Sequence, residues 1–161
     1  MDKIVENWKA KAKGEFKTNL AFLKSMSKHK STDRIVSDFH EAVFKKVDCL
    51  KCANCCKTTP ALVTRADAKR IAKHLSIPPK TFIRKYLMED VDGELMIARV
   101  PCTFLNEDNT CRIYEVRPQA CREYPHTNQF GFSRRPKMNA NNTIVCPAVF
   151  EIVQRLKKVD F

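Results

Sequence analysis

The stretch Cys49-Leu50-Lys51-Cys52-Ala53-Asn54-Cys55-Cys56 places four cysteines within eight consecutive residues, and no other part of the chain is as far from chance. The four remaining cysteines are Cys102, Cys111, Cys121 and Cys146. In a chain that stays in a reducing compartment, clustered cysteines indicate thiolate ligands for a metal rather than disulfides. The sequence therefore predicts that these eight side chains bind metal within a core over residues 49–146.

The spacing of the cysteines suits two kinds of metal centre. Cys-x2-Cys pairs are the usual half-sites of tetrahedral zinc, and three cysteines at this spacing with a remote Cys-Pro, here Cys146-Pro147, also suit an iron–sulfur cluster. The adjacent pair Cys55-Cys56 departs from the ferredoxin pattern, because neighbouring side chains project in different directions. Two four-cysteine sites, one site with additional structural or reactive thiols, and replacement of a cysteine by His126 all stay open.

Length and composition are those of an ordinary globular protein. The 161 residues are 43% hydrophobic and 30% charged, which predicts one domain with a core of its own. Only three glycines occur, and they are scattered, which excludes a Gly-rich nucleotide loop. No nucleophile–base pair, paired-carboxylate motif or HExxH is present, so we predict no catalytic residues and do not expect an autonomous enzyme.

The charge and the terminal sequence bear on location and partners. Residues 1–6 lack an apolar segment, and no apolar run approaches the ~20 residues of a membrane span, so we expect a cytoplasmic protein without membrane contact. The net charge of +12 is compatible with a nucleic-acid or acidic protein partner. The basic residues of segment 57–85 are the place where a polyanion would bind, although a solvated helical surface is the favoured explanation of them. These residues are Lys57, Arg65, Lys69, Arg70, Lys73, Lys80, Arg84 and Lys85.

Apolar spacing predicts helices on both sides of the cysteine stretch. The first covers residues 1 to about 30, and a second begins after a cap at Ser31-Thr32-Asp33 and runs to the cysteines. The inner face of the first is formed by Ile4, Trp8, Ala12, Phe16, Leu20 and Leu23. We expect these helices, residues 1–48, to pack on the metal-binding core, although a basic amphipathic surface for a membrane or partner is the alternative.

Local signals predict the elements within the core. A capping box at Thr64-x-x-Asp67 begins a third helix, and Pro79 begins a fourth that extends to Leu87. A turn at residues 91–94 and a strand at 95–100 follow, and then a hairpin with Cys102 and Cys111 on its two arms. Residues 127–145 lack periodicity and are predicted as loop, and a last helix begins at Pro147. The predicted fold is mainly α with a small β-hairpin, a compact cysteine-rich metal-binding domain with flanking amphipathic helices.

The intervening residues carry a family resemblance. Cys49-x2-Cys52-x2-Cys55-Cys56 is followed by Pro101-Cys102-x-Phe104-Leu105 and by Cys111-x-Ile113-Tyr114-x2-Arg117-Pro118-x2-Cys121-Arg122-x-Tyr124-Pro125. This pattern resembles the YkgJ-type CxxCxxCC cysteine-cluster family, a zinc- or iron-chelating domain with iron–sulfur proteins among its relatives. The resemblance covers residues 49–146 and implies a metal site at the eight cysteines. Arg117 and Arg122 belong to the motif and are candidates to donate hydrogen bonds to the thiolates.

Three functions follow from these features. The first is a metal-binding protein whose thiolates hold zinc or iron, with or without a 4Fe-4S cluster, and which acts through a protein partner. The second is an iron–sulfur protein in electron transfer or in support of a modifying enzyme. The third is a basic zinc module on nucleic acid, whose affinity would fall steeply with salt.

Overall fold

A computed structural model describes residues 7–29 and 31–161, and the fold is mainly helical with one small antiparallel hairpin, as predicted. The strands β1 (Leu87–Glu89) and β2 (Leu95–Ile97) pair in the register Leu87–Ile97 and Glu89–Leu95. The helices are α1 (Trp8–Gly14), α2 (Phe16–Met26), α3 (Thr32–Phe44), α4 (Cys49–Cys52), α5 (Asn54–Thr58), α6 (Arg65–His74), α7 (Pro79–Tyr86), α8 (Gln119–Glu123), α9 (Pro136–Val145) and α10 (Pro147–Leu156). Short 3₁₀ helices lie at Tyr114–Val116 and Phe132–Arg134.

The chain forms two compact units. Unit 1 combines the chain up to Cys52 with Pro125–Phe161, and unit 2 is Ala53–Tyr124. Each unit has a hydrophobic cluster of its own. The expectation of a single domain over residues 1–161, with helices of 1–48 packed on a core of 49–146, stays a prediction.

Unit 1 is a helical core built from both ends of the chain. Helices α2, α3, α9 and α10 supply buried side chains such as Leu23, Val36 and Ile152. The single helix predicted over residues 1 to about 30 is wrong, because it is interrupted at Glu15 between α1 and α2. Its position Ile4 lies outside the described residues. None of the helices formed by the described residues has the length and apolar character needed to cross a membrane.

The loop predicted over residues 127–145 is also wrong, because α9 occupies its second half. Its buried face includes Asn139, Asn142 and Thr143, so the sequence shows no apolar periodicity. The Asn139 amide donates to the Phe132 carbonyl and the Thr143 hydroxyl to the Ala140 carbonyl, both at 2.6 Å, while the buried Asn139 Oδ1 has no hydrogen-bond partner. A helix whose buried face is polar is invisible to a search for apolar spacing.

The Asp33 carboxylate ties α3 to the turn that precedes α9. It accepts backbone N–H bonds from Gly131 at 2.6 Å and from Ser133 at 2.9 Å. Burial opposes ionisation of this carboxyl, but the N–H donors of Ser133 and Gly131 outweigh it and lower the pKa of Asp33. The side chain that the sequence marked as a cap for its own helix thus holds a segment about one hundred residues away. Ser31, at the cap position itself, makes no side-chain cap bond.

Unit 2 contains the third and fourth predicted helices. The capping box is confirmed, since the Thr64 hydroxyl accepts from the Asp67 N–H and the Asp67 carboxylate accepts from the Thr64 N–H, both at 3.0 Å. Pro79 begins α7 as predicted. The helix ends at Tyr86 rather than Leu87, because Leu87 begins strand β1, which the sequence did not indicate. The core side chains of this unit include Ile71, Phe82, Ile97, Phe104 and Ile113.

The predicted strand and hairpin are present in shortened form. Strand β2 covers Leu95–Ile97 of the predicted 95–100. The hairpin before Cys111 consists of one antiparallel bridge between Leu105 and Cys111, supported by a bond from the Arg112 N–H to the Phe104 carbonyl at 2.9 Å. Cys102 precedes this bridge, so the two cysteines are not direct cross-strand partners. The bridge still holds the two cysteine-bearing segments side by side.

We expect Asp33→Asn to lower the free energy of unfolding of unit 1 by ~1–3 kcal/mol at neutral pH, because a charged acceptor for two N–H groups is lost. A lowered folded pKa contributes stability that is complete above the ordinary value of 3.8 and is lost as the pH falls through the folded value. The difference in free energy of unfolding between wild type and variant should therefore shrink as the pH falls below 3.8 and through the lowered pKa of folded Asp33. Fluorescence of Trp8, buried in unit 1, reports the unfolding in urea.

The matched control is Asp38→Asn, an exposed carboxylate on the same helix. This substitution should leave the urea concentration at the midpoint of unfolding nearly unchanged. Equal effects of the two substitutions at all pH values would contradict the tie between Asp33 and the turn at residues 131–133.

Candidate metal centre

The cysteine stretch forms two short helices rather than a single helix or a single loop. Helix α4 carries Cys49 and Cys52, and α5 carries Cys55 and Cys56. Between them Ala53 adopts a left-handed conformation, with φ of 44°, which a residue with a Cβ rarely adopts. This break separates the four cysteines, so that the first two belong to unit 1 and the last two to unit 2.

Four thiols of unit 2 form a group, called here the four-thiol group. Its members come from three regions of the unit and are Cys56, Cys102, Cys111 and Cys121. The Cys102 N–H donates to the Cys56 carbonyl at 2.8 Å, which joins two of the regions directly. The Cys121 side chain is largely buried, and burial together with negative charge on the other three thiols raises its pKa to about 12. The charges of the other three thiols thus act on Cys121, and the backbone bond between Cys102 and Cys56 places these two segments side by side.

Backbone N–H groups already point at several of these sulfurs. The Cys102 sulfur accepts from Phe104 and Leu105, and the Cys111 sulfur accepts from Ile113. Burial nevertheless keeps the pKa of both thiols above the ordinary value, because these bonds offset only part of the cost of desolvation. N–H groups two and three residues after a cysteine favour its thiolate form, which is the form that binds metal.

Cys56 differs from the other members of the group. The neighbouring Cys55 thiol hydrogen-bonds its sulfur, and this bond, with a smaller contribution from the Lys57 charge, lowers the pKa of Cys56 to about 7. A thiol of this kind is ionised in part at neutral pH. Cys56 is therefore the member best prepared to meet an incoming cation.

Unit 1 holds a second set, called here the three-thiol group, made of Cys49, Cys52 and Cys146. Cys146 occupies the N-cap of α10, as predicted, and its sulfur accepts from the Val149 and Ala148 N–H groups. Burial, followed by negative charge on Cys49 and Cys52, raises the pKa of Cys146 to about 12. Cys49 and Cys52 thus act electrostatically on Cys146, and the three cysteines belong to the same unit.

The donor sets fit zinc or iron by their chemistry. All eight cysteines lie within the described residues, and none forms a disulfide. Four thiolates are the ligand set of structural zinc and of common iron–sulfur clusters. As the side chains stand, no group of three or more His, Cys, Asp or Glu across residues 7–29 and 31–161 is arranged to hold a metal ion. Closure of the thiols around an ion would thus require their side chains to rotate.

The two predicted arginines differ in their surroundings. The positive charge of Arg117 lowers the pKa of Cys111 and Cys121 against the larger effect of burial, and its guanidinium lies 3.9 Å from the Tyr114 ring centroid. Arg122 is exposed, and its role stays a prediction. Arg112, which the sequence interpretation missed, also favours the Cys111 thiolate and donates to the Thr103 carbonyl at 2.7 Å. Its position directly after a cysteine was the available signal.

His126 was the candidate to replace a cysteine. It belongs to unit 1, where its Nδ1 lies 3.2 Å from the Gln129 side-chain oxygen, and its φ of 64° is left-handed. Its role as a ligand stays a prediction.

A buried ion pair positions the segment that leads to Cys121. The Asp67 carboxylate, whose side chain is 3% exposed, accepts from the Arg70 guanidinium at 2.7 Å and from the Gln119 N–H at 3.2 Å. Arg70 also donates to the Arg117 carbonyl at 3.0 Å. Asp67, beyond its role in the capping box, therefore holds the start of α8 against α6. Burial opposes its ionisation, but the bonds from Arg70, Thr64 and Gln119 lower its pKa overall.

Comparison with known proteins agrees with the chemistry of these thiols. Residues 48–147 match the CxxCxxCC family, described as a "putative zinc- or iron-chelating domain". Because this match covers more than half of the chain, the protein belongs to that family, and the predicted resemblance is confirmed. The chain is also 36% identical over 84 residues to an uncharacterized protein of Methanocaldococcus jannaschii. That alignment covers 50% of this chain and 45% of the relative, and no solved structure matches the chain.

We expect Asp67→Asn to destabilise unit 2 by ~1–3 kcal/mol, because a buried acceptor of several hydrogen bonds loses its charge and one acceptor oxygen. Amide hydrogen exchange in α6 and α8 should accelerate, while exchange in unit 1 stays unchanged. Glu151→Gln is the control, since it removes the partly exposed pair with Arg155 in unit 1 and should cost less than ~1 kcal/mol. Unchanged exchange in α8 of the Asp67 variant would show that the ion pair does not position this segment.

Proposed function

We propose that this protein binds zinc or iron through cysteine thiolates, with the four-thiol group of unit 2 as its principal site. The observation that carries the proposal is that Cys56, Cys102 and Cys111 all raise the pKa of Cys121 within one unit, while the Cys102 N–H donates to the Cys56 carbonyl at 2.8 Å. Membership of a family described as zinc- or iron-chelating supports it. Cys56, Cys102, Cys111 and Cys121 would hold the ion.

Electrostatics supply the reason for metal binding. Thiolates placed together would repel one another, and burial together with negative charge on other thiols raises the pKa of Cys121 and of Cys146 to about 12. A divalent cation removes this penalty, and its binding displaces the thiol protons. The N–H donors at the Cys102 and Cys111 sulfurs and the charges of Arg112 and Arg117 would stabilise the resulting negative site.

The three-thiol group is proposed as a second centre. Cys49, Cys52 and Cys146 supply three sulfur donors within unit 1, one fewer than a closed tetrahedral site needs. A three-ligand centre keeps a coordination position for water or another small ligand. The four-thiol and three-thiol groups would thus differ in their affinity for metal and in whether a coordination position stays open to a small ligand.

Which metal is bound decides whether the function is structural or redox. A tetrahedral zinc site would mainly stabilise unit 2 and leave the protein to act through a partner. An iron–sulfur cluster in the four-thiol group would support electron transfer or assist an enzyme, and N–H donors to cluster sulfurs are among the factors that set its potential. Either centre needs a reducing compartment such as the cytoplasm, because thiols are oxidised elsewhere.

The direct test is metal content after purification without oxygen. Zinc without a visible absorption band would support the structural site, and iron with acid-labile sulfide and a broad band near ~400 nm would support a cluster. Cys121→Ser should remove the metal of the four-thiol group, whereas Cys146→Ser should leave it in place. A wild-type protein with no metal and with paired cysteines would overturn the proposal.

A chelator supplies an independent test of the structural role. If metal closes the four-thiol group, its removal should accelerate amide exchange in α5 and α8 of unit 2, and re-addition should reverse the effect. Cys121→Ser should show the accelerated exchange without chelator. Exchange that is the same with and without bound metal would contradict a stabilising role.

A further inference from the structure

A cavity of about 180 Å³ lies in unit 2, beside the segment that carries Cys102. Its lining residues are Lys85, Tyr86, Ala98, Arg99 and Thr103. Pockets for drug-sized ligands usually measure ~300–1,000 Å³. The cavity is therefore suited to a single functional group, either of a small molecule or of a larger one that continues outside it.

The charged side chains that line the cavity are all positive. Lys85 and Arg99 are cationic, Tyr86 and Thr103 carry hydroxyl groups, and no carboxylate belongs to the wall. Among the described residues, the ion pairs involve other side chains, so neither cation is neutralised by a salt bridge. The Lys85 ammonium lies 5.1 Å from the Tyr86 ring centroid, a cation–π contact that holds it beside the cavity.

The wall of the cavity is fixed by packing. The Tyr86 ring contacts the rings of Phe82 and Phe104, with centroids 5.4 and 5.2 Å away. The Ala98 N–H donates to the Tyr86 carbonyl at 2.9 Å, which joins the end of α7 to the segment after β2. These contacts fix the Tyr86 ring and the backbone at Ala98, while the Lys85 and Arg99 side chains are exposed at the mouth of the cavity.

Neighbouring cations extend the positive potential beyond the wall. Arg112 donates to the carbonyl of Thr103, and its guanidinium lies 5.7 Å from the Phe104 ring centroid. Lys80 and Arg84 are exposed on α7, the helix that supplies Lys85. An anion approaching this part of unit 2 is therefore attracted by several cations before it reaches the cavity.

We propose that this cavity binds the phosphate group of an anionic ligand. A phosphate carries up to two negative charges and several acceptor oxygens, which suits a lining that supplies two cations. A carboxylate has one charge and two oxygens and would leave part of this donor set unused. The phosphate could belong to a small phosphate ester or to a nucleic-acid backbone. The proposal does not depend on metal binding, since no cysteine belongs to the wall.

The test is titration of the full chain, with its metal as purified, with inorganic phosphate at constant ionic strength, followed by amide shifts in NMR spectra. The shifts should centre on Ala98, Arg99 and Thr103, and sodium chloride should not reproduce them. The double substitution Lys85→Gln and Arg99→Gln should weaken binding by about tenfold or more, because two charge-assisted contacts are lost. The control is Lys9→Gln with Lys24→Gln, two exposed lysines of unit 1 with the same change in net charge.

Parallel titrations with a nucleoside monophosphate and with a single-stranded oligonucleotide distinguish the source of the phosphate. Binding of the monophosphate as tight as that of the oligonucleotide identifies a small ester. Much tighter binding of the oligonucleotide, with a steep salt dependence, identifies a nucleic-acid backbone. Arg99→Lys should retain part of the affinity and verifies that charge, not folding, is responsible. Shifts that chloride reproduces, no binding, or equal loss in the control variant would overturn the proposal.

Discussion

The cost of placing several ionisable thiols together inside a small protein is the constraint on which this site depends. Burial and the charges of the other three thiols raise the pKa of Cys121 to about 12, so this thiol stays protonated at neutral pH. The surrounding structure offsets this cost in part through N–H donors to the Cys102 sulfur and through the charge of Arg117. Under the proposed function, a bound cation would remove the rest of this cost.

The backbone around the thiols is organised to meet this constraint. The Asp67–Arg70 pair fixes the start of α8, the bridge between Leu105 and Cys111 holds two cysteine-bearing segments together, and Ala53 redirects the chain between two cysteine pairs. Each of these features involves only a few residues. Together they bring segments that are far apart in the sequence to one place in the fold. The cavity at Lys85 and Arg99 uses the same scaffold, because the rings of Phe104 and Tyr86 support both its wall and the hairpin before Cys111.

The sequence predicted the elements whose signals are local. The capping box at Thr64 and the prolines at the starts of α7 and α10 appear where they were expected. Helix α9 was missed because its buried face is polar and therefore shows no apolar spacing. The interruption between α1 and α2 was missed because the apolar spacing continues across it.

At the candidate site too, some features could be predicted from local sequence signals and others could not. Cysteine spacing and the intervening residues were sufficient to recognise the family, which is confirmed. The division into four-thiol and three-thiol groups could not be read from spacing, because it depends on a left-handed alanine and on the separation of Cys146 from Cys121 between two units. The sequence identified Asp67 only as part of a capping box. Its bond from the Gln119 N–H, in the segment before Cys121, could not be predicted because the two residues lie far apart in the sequence.

The most direct test of the central claim is X-ray absorption at the edge of whichever metal copurifies with the intact chain under nitrogen. Thiolate coordination predicts a first shell dominated by sulfur, with zinc–sulfur distances of about 2.3 Å if the metal is zinc. Iron–iron scattering in addition to sulfur would identify a cluster within the same account. A first shell composed mainly of oxygen or nitrogen, with the cysteine sulfurs absent from it, would contradict the assignment of these thiols as the metal site.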